Sequence, residues 1–130
     1  MHELGDQRKK DDAHLQNTHM NKAKVSIVRA HDYDYAEIYA AVGKGIELIG
    51  GLAQIVPPGS KVFVKINHIS PPSPAEKGLI THPVFVEAVL DLLKKLGADI
   101  TVGDDIESGT GDGFQVSGFR QMCQTENFCS

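Results

Sequence analysis

Hydrophobic positions along the chain follow two periods that alternate. Three short runs, Val25-Ser26-Ile27-Val28, Val62-Phe63-Val64-Lys65-Ile66 and Ile100-Thr101-Val102, are rich in the β-branched residues that suit a pleated surface, which predicts three strands. Between the first two, Ile38, Val42, Ile46 and Ile49 recur on one face of a helix. Asp34 followed three residues later by Glu37 reads as a capping box at its start, and Gly50-Gly51 as its stop. Gly43 and Gly45 each weaken this helix by about 1 kcal/mol relative to alanine, so its support must come from packing on the sheet. Pro57-Pro58-Gly59-Ser60 is the turn into the second strand.

A second helix opens at Thr81-His82-Pro83, where proline suits the first turn because its missing N–H had no intrahelical partner. It continues through Phe85, Val89, Leu92, Leu93 and Leu96, places Lys94-Lys95 at the negative end of the dipole and stops at Gly97. Val84, Val86, Ala88 and Leu90 make it apolar nearly all round, as in a helix covered on more than one side.

Strand, helix, strand, helix, strand in this order is two consecutive βαβ units. The expectation is an α/β fold of two or three layers on a three-stranded parallel sheet. Parallel sheets are normally buried on both faces, so three strands read as part of an incomplete doubly wound domain. Residues 1–22 are polar with mixed charge and read as a disordered extension, with Met20 as the expected natural start; residues 23–130 form the single domain.

Composition narrows the function classes. With 41% hydrophobic and 23% charged residues the chain has the make-up of one globular domain. A net charge of -4 gives no basic footprint for nucleic acid. No apolar run is long enough to span a bilayer, so a cytoplasmic address without membrane contact is expected. Cys123 and Cys129 are too close to the end to staple the fold, and their C-x5-C spacing fits neither zinc nor redox motifs; two free thiols are expected.

In an open parallel sheet the β-to-α loops share one edge, where ligands bind. Polar residues gather there: His31, Asp32 and Asp34 after the first strand, Asn67 and His68 through Thr81 and His82 after the second, and Asp104, Asp105 and Glu107 after the third. Lys65 near the end of an apolar strand must reach the rim or find a charged partner, which makes it a candidate holder of an anion. Thr81 and His82 stand at a helix N-terminus, which either attracts an anion or is plainly capped. Asp104 and Asp105 are candidate oxygen ligands of a divalent cation, with His31, His68 or His82 as nitrogen donors. The run Gly109-Thr110-Gly111-Asp112-Gly113 lacks the position and the lysine of a phosphate-binding loop, so it reads as a flexible loop.

The words Val62-Phe63-Val64-Lys65-Ile66-Asn67, Glu76-Lys77-Gly78, Thr81-His82-Pro83, Val86-Glu87-Ala88-Val89 and Val102-Gly103-Asp104, in this order, resemble the N-terminal part of the domain of unknown function 362 family. These are prokaryotic proteins often described as iron–sulfur proteins, and the resemblance runs from Lys24 to Ser117. The family typically has Lys-Pro-Asn where this chain has Lys65-Ile66-Asn67, and Gly-Asp-Ser-Pro-Gly where it has Gly103-Asp104-Asp105-Ile106-Glu107. The resemblance implies an α/β domain, usually longer than this chain and sometimes joined to a ferredoxin-like segment that holds cysteine-ligated clusters. An iron–sulfur cluster is thus implied by the resemblance alone, since this sequence contains no such segment.

Three functional expectations follow. The first is a small anionic ligand held among Lys65, Asn67, Thr81, His82 and Asp104. The second is a divalent-metal enzyme using Asp104 and Asp105, with His82 as acid or base. The third is a non-catalytic interaction module prone to self-association through its uncovered apolar surface.

Overall fold

Asp34 caps the first helix as its sequence dictates. In a computed structural model that describes residues 22–68, 74–104 and 113–126, helix α1 spans Tyr35–Leu48, and the Asp34 carboxylate accepts the Glu37 N–H at 3.1 Å. The return half of the capping box is absent. Glu37 instead accepts the His31 N–H at 2.8 Å, with the His31 ring nitrogen at 2.7 Å, while the Asp34 amide donates to Asp32. The His31 hydrogen bonds hold the Glu37 carboxyl below its ordinary range. At the other end Gly50 and Gly51 both have positive φ, and the Gly51 N–H closes on the Ile46 carbonyl.

Strand β1 (Lys61–Lys65) and strand β2 (Asp99–Gly103) pair in parallel, with Lys61 opposite Asp99 and Lys65 opposite Gly103. Helix α2 (Pro83–Lys95) connects them, so β1–α2–β2 is the expected βαβ unit. Two short C-terminal helices follow, α3 (Gly113–Ser117) and α4 (Phe119–Glu126), broken at Gly118 with φ 85°. Val62, Val64 and Ile66 alternate inward from β1, as Ile100 and Val102 do from β2. Against the strand ends α2 sets Val86 and Leu90, and α4 sets Phe119, Met122 and Cys123, all buried. That core makes the fold an α/β one.

The first predicted strand is corrected. Val25 to Val28 joins no sheet among the described residues, and the sheet has two strands, not three. β-branched composition makes a segment fit for a strand, but a strand exists only through a neighbour's hydrogen bonds, and no described segment pairs with this one. Ser26 and Val28 lie instead against α1 at Gly45. The layering differs too: α1 packs chiefly on α2, where Tyr35 donates to Asp91 and Lys95 reaches Tyr39, so α2 is apolar all round because it meets the core on one side and α1 on another. The outer sheet face, with Phe63 and Thr101, is exposed.

The thiol expectation is also corrected. Cys123 is buried and disulfide-bonded, not free, while Cys129 lies outside the described residues. No helix of the described residues is long and apolar enough to cross a membrane.

Candidate ligand site at the strand ends

The register decides what meets at the carboxyl edge. Lys65 ends β1 opposite Gly103, which ends β2, so the residue after it, Asp104, comes beside the lysine. The Lys65 ammonium and the Asp104 carboxylate form an ion pair. Its two halves differ in surroundings: the lysine side chain is 65% exposed and the aspartate side chain 4%. A carboxylate so buried needs further donors, and the His68 N–H supplies one at 2.6 Å. Lys65, Asp104 and His68 thus lock the two strand ends together.

Asn67 and Thr81 form a second pair. The Thr81 N–H donates to the Asn67 carbonyl at 3.0 Å, the Asn67 N–H donates to the Thr81 hydroxyl at 3.1 Å, and the Asn67 amide donates to the Leu79 carbonyl at 3.3 Å. These bonds close the long loop between β1 and α2 at its neck.

His82 is next to Thr81 in sequence but serves differently. Its Nδ1 accepts the Val84 N–H at 3.3 Å, and its carbonyl accepts from Phe85 and Val86 at 3.0 and 3.2 Å. With Pro83 carrying no N–H, the first turn of α2 is capped from within, which is the plain-cap alternative the sequence offered. The ring stacks on Tyr33 at 3.7 Å between centroids and 13° between planes. Burial pushes the His82 pKa down, opposed by the negative charge of Glu76. Its other side borders a cavity of about 350 Å³ that Glu76, Glu87, Ser117 and Gln121 also line.

His68 is the residue whose role the sequence reading underrated. It is 5% exposed, with Nε2 at 3.2 Å from the Gly113 carbonyl and 3.0 Å from the Ser117 hydroxyl, and its ring edge meets Phe114. A carbonyl only accepts, so Nε2 carries the hydrogen and Nδ1 is left a lone-pair acceptor. Among the described residues Nδ1 has no partner. The signal was present: Val62, Val64, Ile66 and His68 share one parity, and the first three face the core.

Metal chemistry gains little from this arrangement. Among the described residues no three His, Cys, Asp or Glu side chains gather to hold an ion, and Asp105, Glu107 and most of the glycine run lie outside them. The iron–sulfur cluster implied by the resemblance does not fit either. It needs about four thiolate-type ligands, whereas the sequence has two cysteines and Cys123 is held in a disulfide.

Comparison with known proteins completes the picture. No solved structure matches the chain. It is similar to "Thylakoid-associated protein sll1697" from Synechocystis sp., 30% identical over 89 residues, which is 68% of this chain and 27% of that protein. The chain therefore spans about a quarter of the length of the curated relative it matches. The family described as "Domain of unknown function (DUF362)" matches residues 62–129, a span that begins in β1 and includes the Lys65, Asn67, Thr81, His82 and Asp104 positions. With just over half of its residues in that match, the chain belongs to the DUF362 family.

Proposed function

We propose that the carboxyl ends of β1 and β2 form a binding site for a small anionic molecule, with Lys65 as the cation that meets it. The observation that carries this reading is the asymmetry of the ion pair. Asp104 is satisfied from inside by the His68 amide and the ammonium, while most of the lysine side chain remains in solvent. An ammonium has three donors; with bonds to Asp104 and, at 3.5 Å, to the Ile66 carbonyl, one is left for a phosphate or carboxylate oxygen. Asp104 acts by position: it fixes the ammonium at the rim and lowers the cost of ordering a flexible side chain when a ligand arrives.

Asn67 and Thr81 contribute by shaping the loop neck beside Lys65. His82 belongs to the edge of the site as a cap, since the amides that would have drawn an anion to the α2 start already have partners. This narrows the anion's contacts to Lys65 and to whatever the loops on either side add. Among the described residues no set of three metal-ligating side chains gathers, and Asp105 lies outside them.

Calorimetric titration of the whole chain with inorganic phosphate, citrate and nucleoside phosphates tests the proposal. At least one is expected to bind, and Lys65→Ala is expected to weaken it about tenfold or more, as befits a lost charge-assisted hydrogen bond. Heatless titrations with all three classes, or equal affinity in Lys65→Ala, would refute it.

A further inference from the structure

The peptide unit between Asn67 and His68 is held at both poles. Its carbonyl accepts the Thr81 N–H at 3.0 Å, and its N–H donates to the Asp104 carboxylate at 2.6 Å. In a trans peptide these two groups point in opposite directions, so the bonds lie nearly on one line and do not stop the plane from turning about it. Rotation is stopped at the Asn67 end by that residue's own N–H on the Thr81 hydroxyl, at 3.1 Å. At the His68 end the ring does it. Buried, its Nε2–H reaches the Ser117 hydroxyl at 3.0 Å and the Gly113 carbonyl at 3.2 Å, and its faces meet Phe114 and Phe119.

Those partners all belong to α3 or to the first residue of α4, so in a close-packed interior the ring turns only if these helices shift. The line continues on the other side. One Asp104 oxygen takes the His68 N–H and the other takes the Lys65 ammonium. A buried carboxylate held by an amide through one oxygen has the second one aimed, and the place of the exposed ammonium follows from it.

We infer that His68 is a positioning residue of the anion site and that it couples this site to α3, an inference that rests on the reading of Lys65 given above. Coupling runs both ways: an anion that fixes the ammonium steadies α3, and a displaced α3 weakens the anion.

Three variants test it. His68→Gln keeps an N–H donor near the place of Nε2, His68→Leu keeps apolar bulk without a donor, and Ser117→Ala removes the hydroxyl but leaves the Gly113 carbonyl. Hydrogen exchange by NMR in the ligand-free full chain compares the residue 68 amide with the amides of α2, which report global unfolding. That amide is expected to exchange about tenfold faster in His68→Leu, about threefold faster in Ser117→Ala, and within about twofold of wild type in His68→Gln. Circular dichroism checks the folds, and Ser117→Ala carries the comparison if His68→Leu does not keep its own. Affinity for the best of inorganic phosphate, citrate and nucleoside phosphates should fall in the same order, by about fivefold to tenfold in His68→Leu. That anion should also slow exchange at Ser117 and Phe119 in wild type and not in His68→Leu. Equal exchange at residue 68 in the Leu and Gln variants, with wild type still binding an anion, overturns the inference and leaves the Lys65 reading standing. No anion bound by wild type, with exchange as expected, overturns the Lys65 reading and the coupling with it, and leaves His68 a structural tie alone.

Discussion

The two crossover units that the sequence lays out end up unlike each other. In the second, β1 and β2 pair, α2 lies across them, and α4 seals Ile66, Leu90 and Phe119. In the first, the would-be strand 25–28 and α1 line a groove of about 550 Å³ with their apolar faces in order, but among the described residues no strand pairs with 25–28. The sequence signals of the two units are of equal quality. What separates them is whether a hydrogen-bonding neighbour exists, which is a property of pairs of segments and not of either alone.

The largest effect that probes this contrast is a core truncation. Leu90 is fully buried between the sheet and α4, so Leu90→Ala is expected to cost about 2–5 kcal/mol of unfolding free energy. Ile46→Ala, at the open groove, removes a side chain that is only half-buried and should cost well under half as much. Denaturant titration of both variants checks the pair. Equal losses would mean that the groove is closed in solution and that the two units are alike after all.

Next comes the asymmetric ion pair. Asp104→Ala strips the acceptor from the His68 N–H, for which about 1–3 kcal/mol is expected. Lys65→Ala removes a largely exposed partner and should cost about 1 kcal/mol or less. Urea midpoints in that order support the division of roles in which Asp104 holds and Lys65 presents. The reverse order would make Lys65 the structural member and remove the basis of the anion site.

A smaller, pH-dependent effect belongs to His82. Its folded pKa is held below the ordinary value of about 6.5, so on acidification the unfolded chain takes up the proton before the folded one does. Its contribution is therefore complete above that pH and is lost as pH falls through the lowered folded value. Protonation also removes the Nδ1 lone pair that caps Val84, so the loss is bounded by the worth of a cap, about 1 kcal/mol. Asn at this position caps without titrating. The difference in thermal midpoint between wild type and His82→Asn should change between pH 7 and pH 5, and a constant difference would show that the cap is not the titrating element.

Much of this was legible locally. The Asp34 cap, the Gly50-Gly51 stop, the Pro83 start and the closing Lys94-Lys95 are decided by a few adjacent residues, and each is where the sequence put it. The meeting of Lys65 with Asp104 was legible as well, because parallel strands of equal length bring their carboxyl ends together. The rest depended on distant partners. Glu37 left its capping box for His31, His82 found Tyr33, and His68 turned inward to Gly113 and Ser117. Each of those choices is settled by a segment that no local period describes.

Gly45 offers the finest probe of the open unit. It lines the groove from α1, the helix whose support the sequence assigned to packing on a sheet. A Cβ there would meet Ser26 Oγ at 3.5 Å and Val28 Cγ2 at 3.7 Å, which is ordinary contact. Alanine should then fit and stabilise the helix by roughly 0.5–1 kcal/mol, because it restores helix propensity without displacing anything. If a strand instead lies close over α1 in solution, the added methyl must push it away, and Gly45→Ala would lower the thermal midpoint. The sign of the change in thermal midpoint for Gly45→Ala therefore separates an open groove from a filled one at a single carbon atom.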